Sequence, residues 1–155
     1  MTSAVDANVV LDLGKSTAQA LASHELLSRL GAEGPLIISE PAYAEVAAAF
    51  VNDRSGFESL LVDIGIVLVN SNPRVLYVAG LAWREYSQRR PRTLACPACG
   101  TAQSVACSAC GAPIRTCQHL VADFLIGAHA LILAERLVTR DRGFYAAYFP
   151  DLELA

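Results

Sequence analysis

The stretch from Val121 to Asp141, "VADFLIGAHALILAERLVTRD", contains both kinds of element from which the whole chain is predicted to be built. Its first part is apolar on nearly every face of a helix, which is typical of a buried helix. Its second part is a short apolar run that ends in an acid, as expected of a strand in a parallel sheet. The stretch therefore predicts an α/β fold in which an acid follows a buried strand.

Similar apolar runs alternate with helical patterns along the rest of the chain. We predict strands in "SAVDANVVL", "GPLIIS", "IVLVN", "RLVTRD" and "DLEL". Helices are predicted in "STAQALASHELLSRLGAEG", "SEPAYAEVAAAFVND", "FESLLVDIG", "NPRVLYVAGLAWREYSQRR", "VADFLIGAHALILAE" and "RGFYAAYF". The second of these helices is expected to begin with a serine cap and a proline in its first turn. Strands that alternate with helices predict a parallel sheet covered on both faces, here in a single domain of residues 1–155.

The composition excludes several classes of protein. Hydrophobic residues make up 54% of the chain and charged residues only 17%, which excludes an intrinsically disordered protein. No apolar run reaches the roughly 18 uncharged residues of a membrane span, so no membrane partner is expected. The first ten residues lack the basic start and long apolar stretch of a signal peptide. We therefore expect a cytoplasmic protein.

Four acids are predicted to meet at one edge of the sheet, where parallel α/β folds bind their ligands. Asp6 and Asp141 end predicted strands, Glu45 lies one turn into the helix after the second strand, and Asp123 opens the buried helix. Carboxylates crowd in this way only when cations neutralise them. Oxygen ligands suit Mg²⁺ or Mn²⁺, and the absence of histidine from the set argues against a catalytic zinc.

Each acid also has an ordinary structural interpretation. Asp123 could be a helix cap, and Asp6 could cap the turn after its strand. Asp141 could be a simple turn residue before a glycine. Glu45 could be an exposed helix residue, as most glutamates are. The argument for a site therefore depends on the four acids together.

The segments around the acids resemble a known family. "VDANVVLDL", "ISEPAYAEV", "DFLIGAHAL" and "LVTRDRGFYAAYFPDLEL" are similar to the four motifs of PIN-domain nucleases, and closely so to the VapC toxins of toxin–antitoxin pairs. The resemblance covers most of residues 3–154, except about 88–118. It implies a Rossmann-like α/β/α sandwich, cleavage of RNA with Mg²⁺ or Mn²⁺, an antitoxin partner and a homodimer.

The resemblance also implies the roles of individual residues. The metal site would be formed by Asp6, Glu45, Asp123 and Asp141. Asn8 and Thr139 match the family's polar residues beside the first and last acids, and would orient them. Two other functions remain open: a zinc-ribbon PIN endonuclease that processes ribosomal or transfer RNA, and a PIN-like module that binds RNA or protein without catalysis.

A cysteine-rich segment of quite different composition interrupts the domain at residues 93–118. Four cysteines follow the spacing Cys-x2-Cys-x7-Cys-x2-Cys, with glycine after each pair: Cys96, Cys99, Cys107 and Cys110. This spacing predicts a structural zinc knuckle, with redox chemistry or disulfide pairing as the alternatives. A closed four-thiolate site has no open position for a water, so it should stabilise rather than catalyse. Cys117 is left over, and with His119 it is a reserve ligand.

Arginine is concentrated around this insertion. The chain has a net charge of −3, but residues 84–142 carry eight arginines and four acids, a net charge of +4. The candidates for RNA contacts are Arg89, Arg90, Arg92, Arg115, Arg140 and Arg142. The guanidinium fork suits phosphate, although the same arginines could simply solvate helix faces.

Overall fold

A five-stranded parallel sheet forms the centre of the computed structural model, which describes residues 1–15, 18–89, 94–95, 101–113 and 120–155. In chain order the elements are β1 (Ser3–Val5), α1 (Ala7–Asp12), α2 (Ala18–Glu33), β2 (Leu36–Ile38), α3 (Glu40–Ala47), α4 (Arg54–Ile64), β3 (Ile66–Leu68), α5 (Pro73–Arg89), β4 (Leu94–Ala95), β5 (Ala102–Gln103), α6 (Val121–Leu133), β6 (Arg136–Val138), α7 (Arg142–Tyr148) and β7 (Glu153–Leu154). The predicted α/β class with a central parallel sheet is confirmed.

The order of the strands explains where a site can form. The sheet runs β3-β2-β1-β6-β7, so the chain first moves outward from β1 to β2 and β3 and later returns to the other side of β1. This reversal places a crevice at the carboxyl ends of β1 and β6, the usual ligand position in open parallel sheets. Asp6 directly follows β1, and Thr139 directly follows β6.

Two details of the predicted elements are wrong. The first strand was expected to run through "SAVDANVVL", but it ends at Val5 and the following residues form α1. Val9 and Val10 are both buried, as a helix packed against the core permits and a half-buried strand does not. Ser39 occupies the predicted N-cap position of α3, with a proline in the first turn, but its side chain does not make the cap hydrogen bond that was expected.

Helix α6 is the buried helix that the sequence predicts. It packs against β1, β6, α3 and along α5, and Phe124, Ile126 and Ala128 have exposed fractions of 2% or less. Phe124 joins an aromatic cluster in which its ring centroid lies 5.0 Å from that of Phe144 and 5.4 Å from that of Tyr86. This cluster ties α5, α6 and α7 together beneath the acids at the starts of α6 and α7.

The described part of the cysteine-rich segment lies between α5 and α6. Strands β4 and β5 pair antiparallel with each other in a sheet separate from the main one. The domain boundaries predicted for the insertion, residues 93–118, stay a prediction because much of that range lies outside the described residues. Among the described helices, none has both the length and the apolar character needed to cross a membrane.

Gly127 allows α6 to approach the ring of Phe149. A Cβ atom at position 127 would lie 2.6 Å from Cδ2 and 2.8 Å from Cζ of that ring. We expect Gly127→Ala to lower the free energy of unfolding by about 1–3 kcal/mol because the core would be overpacked. Urea unfolding followed by circular dichroism measures this change.

Gly80→Ala is the matched control, because Gly80 also lies inside a helix but has open space where a Cβ would be. We expect this variant to keep or raise the free energy of unfolding, by up to about 1 kcal/mol. Equal losses in both variants would contradict the close contact between Gly127 and Phe149.

Candidate active site

Asp6 is the buried centre of the predicted acidic site. It occupies the N-cap position of α1, yet its side chain makes no cap hydrogen bond there. Instead its Oδ2 accepts hydrogen bonds from Thr139 Oγ1 at 2.6 Å and from Asn8 Nδ2 at 2.8 Å. The exposed fraction of Asp6 is only 5%. Its carboxylate is therefore held at the β1–β6 crevice by side chains that follow both strands.

Asn8 and Thr139 extend this hydrogen bonding into the loop that carries Asp141. Asn8 Nδ2 also donates to Thr139 Oγ1 at 3.3 Å, and Asn8 Oδ1 accepts from the backbone N–H of Arg140 at 3.1 Å. Thr139 Oγ1 accepts in turn from the backbone N–H of Asp141 at 3.1 Å. Asn8 thus contacts the acid that it was predicted to orient, whereas the carboxylate that Thr139 contacts is that of Asp6 and not that of Asp141. The part of both residues in a reaction stays a prediction.

Asp123 and Asp141 both lie at the starts of helices. The Oδ2 of Asp123 accepts from the backbone N–H of Leu120 at 2.7 Å, and the Oδ1 of Asp141 accepts from that of Phe144 at 3.2 Å. Asp123 therefore has the capping role that was its ordinary interpretation, and Asp141, whose ordinary interpretation was a turn residue, caps α7. A carboxylate accepts hydrogen bonds or metal at two oxygens, so a cap at one oxygen is compatible with a ligand at the other.

Glu45 lies at an exposed position of α3, and the charges of two other acids of the predicted site affect its pKa. Partial desolvation of its carboxylate raises the pKa of Glu45, and the charges of Asp6 and Asp123 raise it further. Burial likewise raises the pKa of Asp6, with a further increase from the charge of Asp123. These three acids therefore repel one another when all are ionised.

Tyr145, on α7, is a further residue of this region and does not belong to the predicted site. It is 2% exposed, and burial raises the pKa of its phenol, followed by the charges of Asp6, Asp123, Asp141 and Glu45. One phenol thus lies within the field of all four acids. The use of these four acids as one site stays a prediction. Tyr145 follows Asp141, the N-cap residue of α7, by four positions, and this helical spacing was the signal in the sequence that could have placed the phenol near the acids.

The donor set is chemically suited to a hard cation. It consists of carboxylate oxygens, which Mg²⁺ and Mn²⁺ prefer, and the mutual repulsion is of the kind that a cation relieves. No three His, Cys, Asp or Glu side chains within the described ranges are close enough together to hold one ion. The acids thus converge on one region without forming a closed ligand set, and a metal here stays a proposal.

The arginines predicted to bind RNA have intramolecular partners where they are described. Arg89 pairs with Glu85 at 2.6 Å, and Arg142 donates to the backbone carbonyl of Leu154 at 2.9 Å. Arg140 donates to the buried side chains of Asp12 and Ser23. Three further candidates lie outside the described residues: Arg90, Arg92 and Arg115. Contacts with RNA therefore stay a prediction.

The second cysteine pair adopts a tight turn. The backbone N–H of Cys107 donates to the carbonyl of Ala112 at 2.8 Å, and the N–H of Gly111 donates to the carbonyl of Cys107 at 2.8 Å. Gly111 has φ of 71°, which favours glycine. Hydrogen bonds from the backbone of Ala109 and Cys110 lower the pKa of the Cys107 thiol, and both thiols are free.

The other predicted zinc ligands, Cys96 and Cys99, lie outside the described residues, as do Cys117 and His119. Within the described part of the chain, Cys107 and Cys110 are not accompanied by the third ligand that a metal centre would need. The structure therefore contains one half of the predicted knuckle as a turn, and the zinc knuckle itself is not shown.

Comparison with known proteins identifies the fold. The chain matches the PIN domain family over residues 4–150. VapBC-1 from nontypeable Haemophilus influenzae is similar with a TM-score of 0.61 and 16% identity, over 100% of this chain and 97% of that chain. VapBC2 from Rickettsia felis, bound to a DNA fragment from its promoter, has a TM-score of 0.59 and 17% identity, over 100% and 98%. No curated protein sequence matches the chain.

The buried carboxylate of Asp6 makes the stability of the metal-free protein depend on pH. Its pKa is raised above the ordinary value of 3.8, so the folded state binds the proton more tightly than the unfolded state. This contribution to stability is present below the ordinary pKa and is lost as the pH rises through the folded-state pKa. Asp6→Asn, with its amide oxygen accepting from Asn8 and Thr139, should remove that loss.

We therefore expect Asp6→Asn to unfold at a higher urea concentration than the wild type at pH 7 in EDTA, with the difference shrinking towards pH 4. Asp63→Asn, at an exposed position of α4 near the amino end of β3, is the control and should show no such gain. A lower urea midpoint for Asp6→Asn at pH 7 would contradict this account of the site.

Proposed function

The chain belongs to the PIN-domain family, and on this premise we propose that it is a metal-dependent endoribonuclease, the toxin of a toxin–antitoxin pair. The main support is that Asp6 lies buried at the carboxyl ends of β1 and β6, and that its charge and those of Glu45, Asp123 and Asp141 all raise the pKa of Tyr145. The resemblance of the four acid-bearing segments to VapC motifs supports RNA as the substrate. A set of acids that includes a buried carboxylate, and in which the charges of neighbours raise the pKa of Asp6 and Glu45, is typical of a functional site.

We propose that Asp6, Glu45, Asp123 and Asp141 hold Mg²⁺ or Mn²⁺. The chemistry that such an ion supplies is activation of a water and compensation of charge on the phosphate and the leaving oxygen. The residues of the chain do the positioning. Asn8 and Thr139 fix the carboxylate of Asp6, and the backbone N–H groups of Leu120 and Phe144 fix those of Asp123 and Asp141.

We further propose an antitoxin partner, a homodimer and a cytoplasmic location. Two solved structures of similar fold are VapBC complexes. On α5, Leu76, Tyr77 and Leu81 are 52%, 69% and 48% exposed. Neighbouring large apolar side chains of this kind are typical of surfaces that bind protein.

We also propose that Cys107 and Cys110 complete a structural zinc site with Cys96 and Cys99. The support is the tight turn around Cys107, in which backbone N–H groups face the sulfur and lower the pKa of the thiol. Zinc binds the thiolate form, so this turn favours the ligand state. The knuckle would then stabilise the segment between α5 and α6.

Nuclease activity is tested with purified protein, Mn²⁺ and structured RNA. We expect the wild type to cleave RNA, Asp6→Asn to lose at least about 100-fold in rate, and Thr139→Val to lose about 10- to 100-fold, because an orienting hydrogen bond to a ligand is removed. Asp63→Asn, which removes a negative charge near the opposite edge of the sheet, should cleave at the wild-type rate. Cleavage is followed by the separation of labelled fragments.

RNA binding without cleavage by the wild type would instead support the non-catalytic module. The toxin is separated from an RNA-processing enzyme by growth after induction. Growth arrest that Asp6→Asn abolishes, and that a co-expressed neighbouring small protein relieves, supports the toxin. Normal growth with altered ribosomal RNA ends supports the processing enzyme.

Zinc is tested by metal analysis of the purified protein. We expect about one zinc per chain in the wild type and loss of that zinc in Cys107→Ser, together with a lower Tm, because a structural zinc contributes folding energy directly. Cys117→Ser is the control and should keep its zinc. Equal zinc content in Cys107→Ser and the wild type would contradict the proposal.

A further inference from the structure

In the sequence Arg140 lies between Thr139 and Asp141. Its side chain forms hydrogen bonds with residues of two helices, α1 and α2. Its Nε donates to Asp12 Oδ2 at 3.1 Å, and its guanidinium donates to Ser23 Oγ at 2.6 Å. Asp12 is the last residue of α1 and Ser23 belongs to α2. The loop that carries Asp141 is thus tied to both helices by one side chain.

Asp12 and Ser23 form a buried receptor for this guanidinium. Their exposed fractions are 2% and 0%, and Ser23 Oγ donates to Asp12 Oδ2 at 3.3 Å. Lys15 Nζ donates to the other oxygen, Asp12 Oδ1, at 2.7 Å. Both oxygens of Asp12 are therefore hydrogen-bonded, and its buried charge faces two cations. Removal of either cation would leave an incompletely paired buried charge, which is costly.

Helix α1 holds Arg140 at two points. Asn8 Oδ1 accepts from its backbone N–H, and Asp12, one helical turn later, accepts from its guanidinium. Asn8 is also the residue that donates to the carboxylate of Asp6. A displacement of Arg140 would therefore move the loop relative to Asp6 and disturb the hydrogen bond that Thr139 makes to it.

We infer that Asp12, Ser23 and Arg140 form a positioning clamp that holds the Thr139–Asp141 loop against Asp6 and thereby sets the metal affinity of the acidic site. The inference rests on the proposed function. It assigns Arg140 a role inside the protein instead of a contact with RNA. The hydrogen bonds described for Asp12 and Ser23 go to Arg140, to Lys15 and to each other, so these two residues reach the loop through Arg140.

The clamp is tested by the dissociation constant for Mn²⁺, measured by titration calorimetry on folded protein, beside steady-state cleavage of RNA. We expect Asp12→Asn and Arg140→Gln each to raise the Mn²⁺ dissociation constant about tenfold, as the loss of an outer partner of a metal ligand typically does. The value of kcat at limiting Mn²⁺ should fall with it, and KM for RNA should stay unchanged. The double variant should be no worse than Arg140→Gln, because the two residues act through one contact.

Glu33→Gln is the matched control. Glu33 pairs with the largely buried Arg136 at the amino end of β6, so its loss removes an ion pair to a buried guanidinium near the opposite edge of the sheet. This variant should lower Tm without changing the Mn²⁺ dissociation constant. Ser23→Ala removes the hydrogen bonds of Ser23 Oγ with Arg140 and Asp12 without removing a charge, and it replaces Asp12→Asn as the clamp variant if Asp12→Asn does not fold.

The outcomes separate the two proposals. A wild-type Mn²⁺ constant in folded clamp variants would overturn the clamp alone. So would a rise in KM for RNA confined to Arg140→Gln, because it would make Arg140 an RNA contact. A wild type that neither binds Mn²⁺ nor cleaves RNA would overturn the proposed function and, with it, the clamp's role in metal binding.

Discussion

The site depends on the hydrogen bond between Thr139 Oγ1 and Asp6 Oδ2, which joins residues 133 positions apart. Strands β1 and β6 pair in parallel with Val5 opposite Val138, so the next residue of each strand emerges at the same place. This register brings Asp6 and Thr139 together before any side-chain contact is made. The hydrogen bonds then offset part of the cost of burying a carboxylate at the end of a sheet. A shift of β6 by one residue would remove the contact.

Apolar packing fixes the helices that begin beside Asp123 and Asp141. Phe124 directly follows Asp123, and Phe144 donates its backbone N–H to Asp141, so each capping acid has an aromatic neighbour in the core. The rings of Phe124 and Phe144 meet edge to face, with their centroids 5.0 Å apart. Close aromatic packing restricts the relative positions of α6 and α7. Asp123 and Asp141 therefore lie at the starts of helices whose relative positions are fixed, as a pre-organised site requires.

Much of this arrangement could be predicted from the sequence, because the edge of a parallel sheet is fixed by where strands end. Asp6 and Thr139 follow apolar runs, and their meeting needs only the α/β topology. The extent of β1 could not be predicted, since an apolar run such as "NVVL" fits a strand or a buried helix equally well. For Asp123 the sequence leaves a helix cap and a metal ligand as alternatives, whereas one carboxylate can cap a helix with one oxygen and bind a metal with the other. The hydrogen-bond partners of Arg140 depend on the packing of α2 beside α1, which no local sequence pattern predicts.

The beginning and the end of α1 carry two buried acids with opposite electrostatics. The hydrogen-bond partners of Asp6 are the neutral side chains of Asn8 and Thr139, and burial raises its pKa. The partners of Asp12 include Lys15 and Arg140, and the hydrogen bond from Lys15 is the largest cause that lowers its pKa. An acid that is already paired has little to gain from a metal ion, whereas an acid that is buried without a cation gains most. Asp12 can therefore hold the loop, because Lys15 and Arg140 already neutralise its charge. Asp6, at the other end of the same helix, has neutral side-chain partners and stays available to a metal ion.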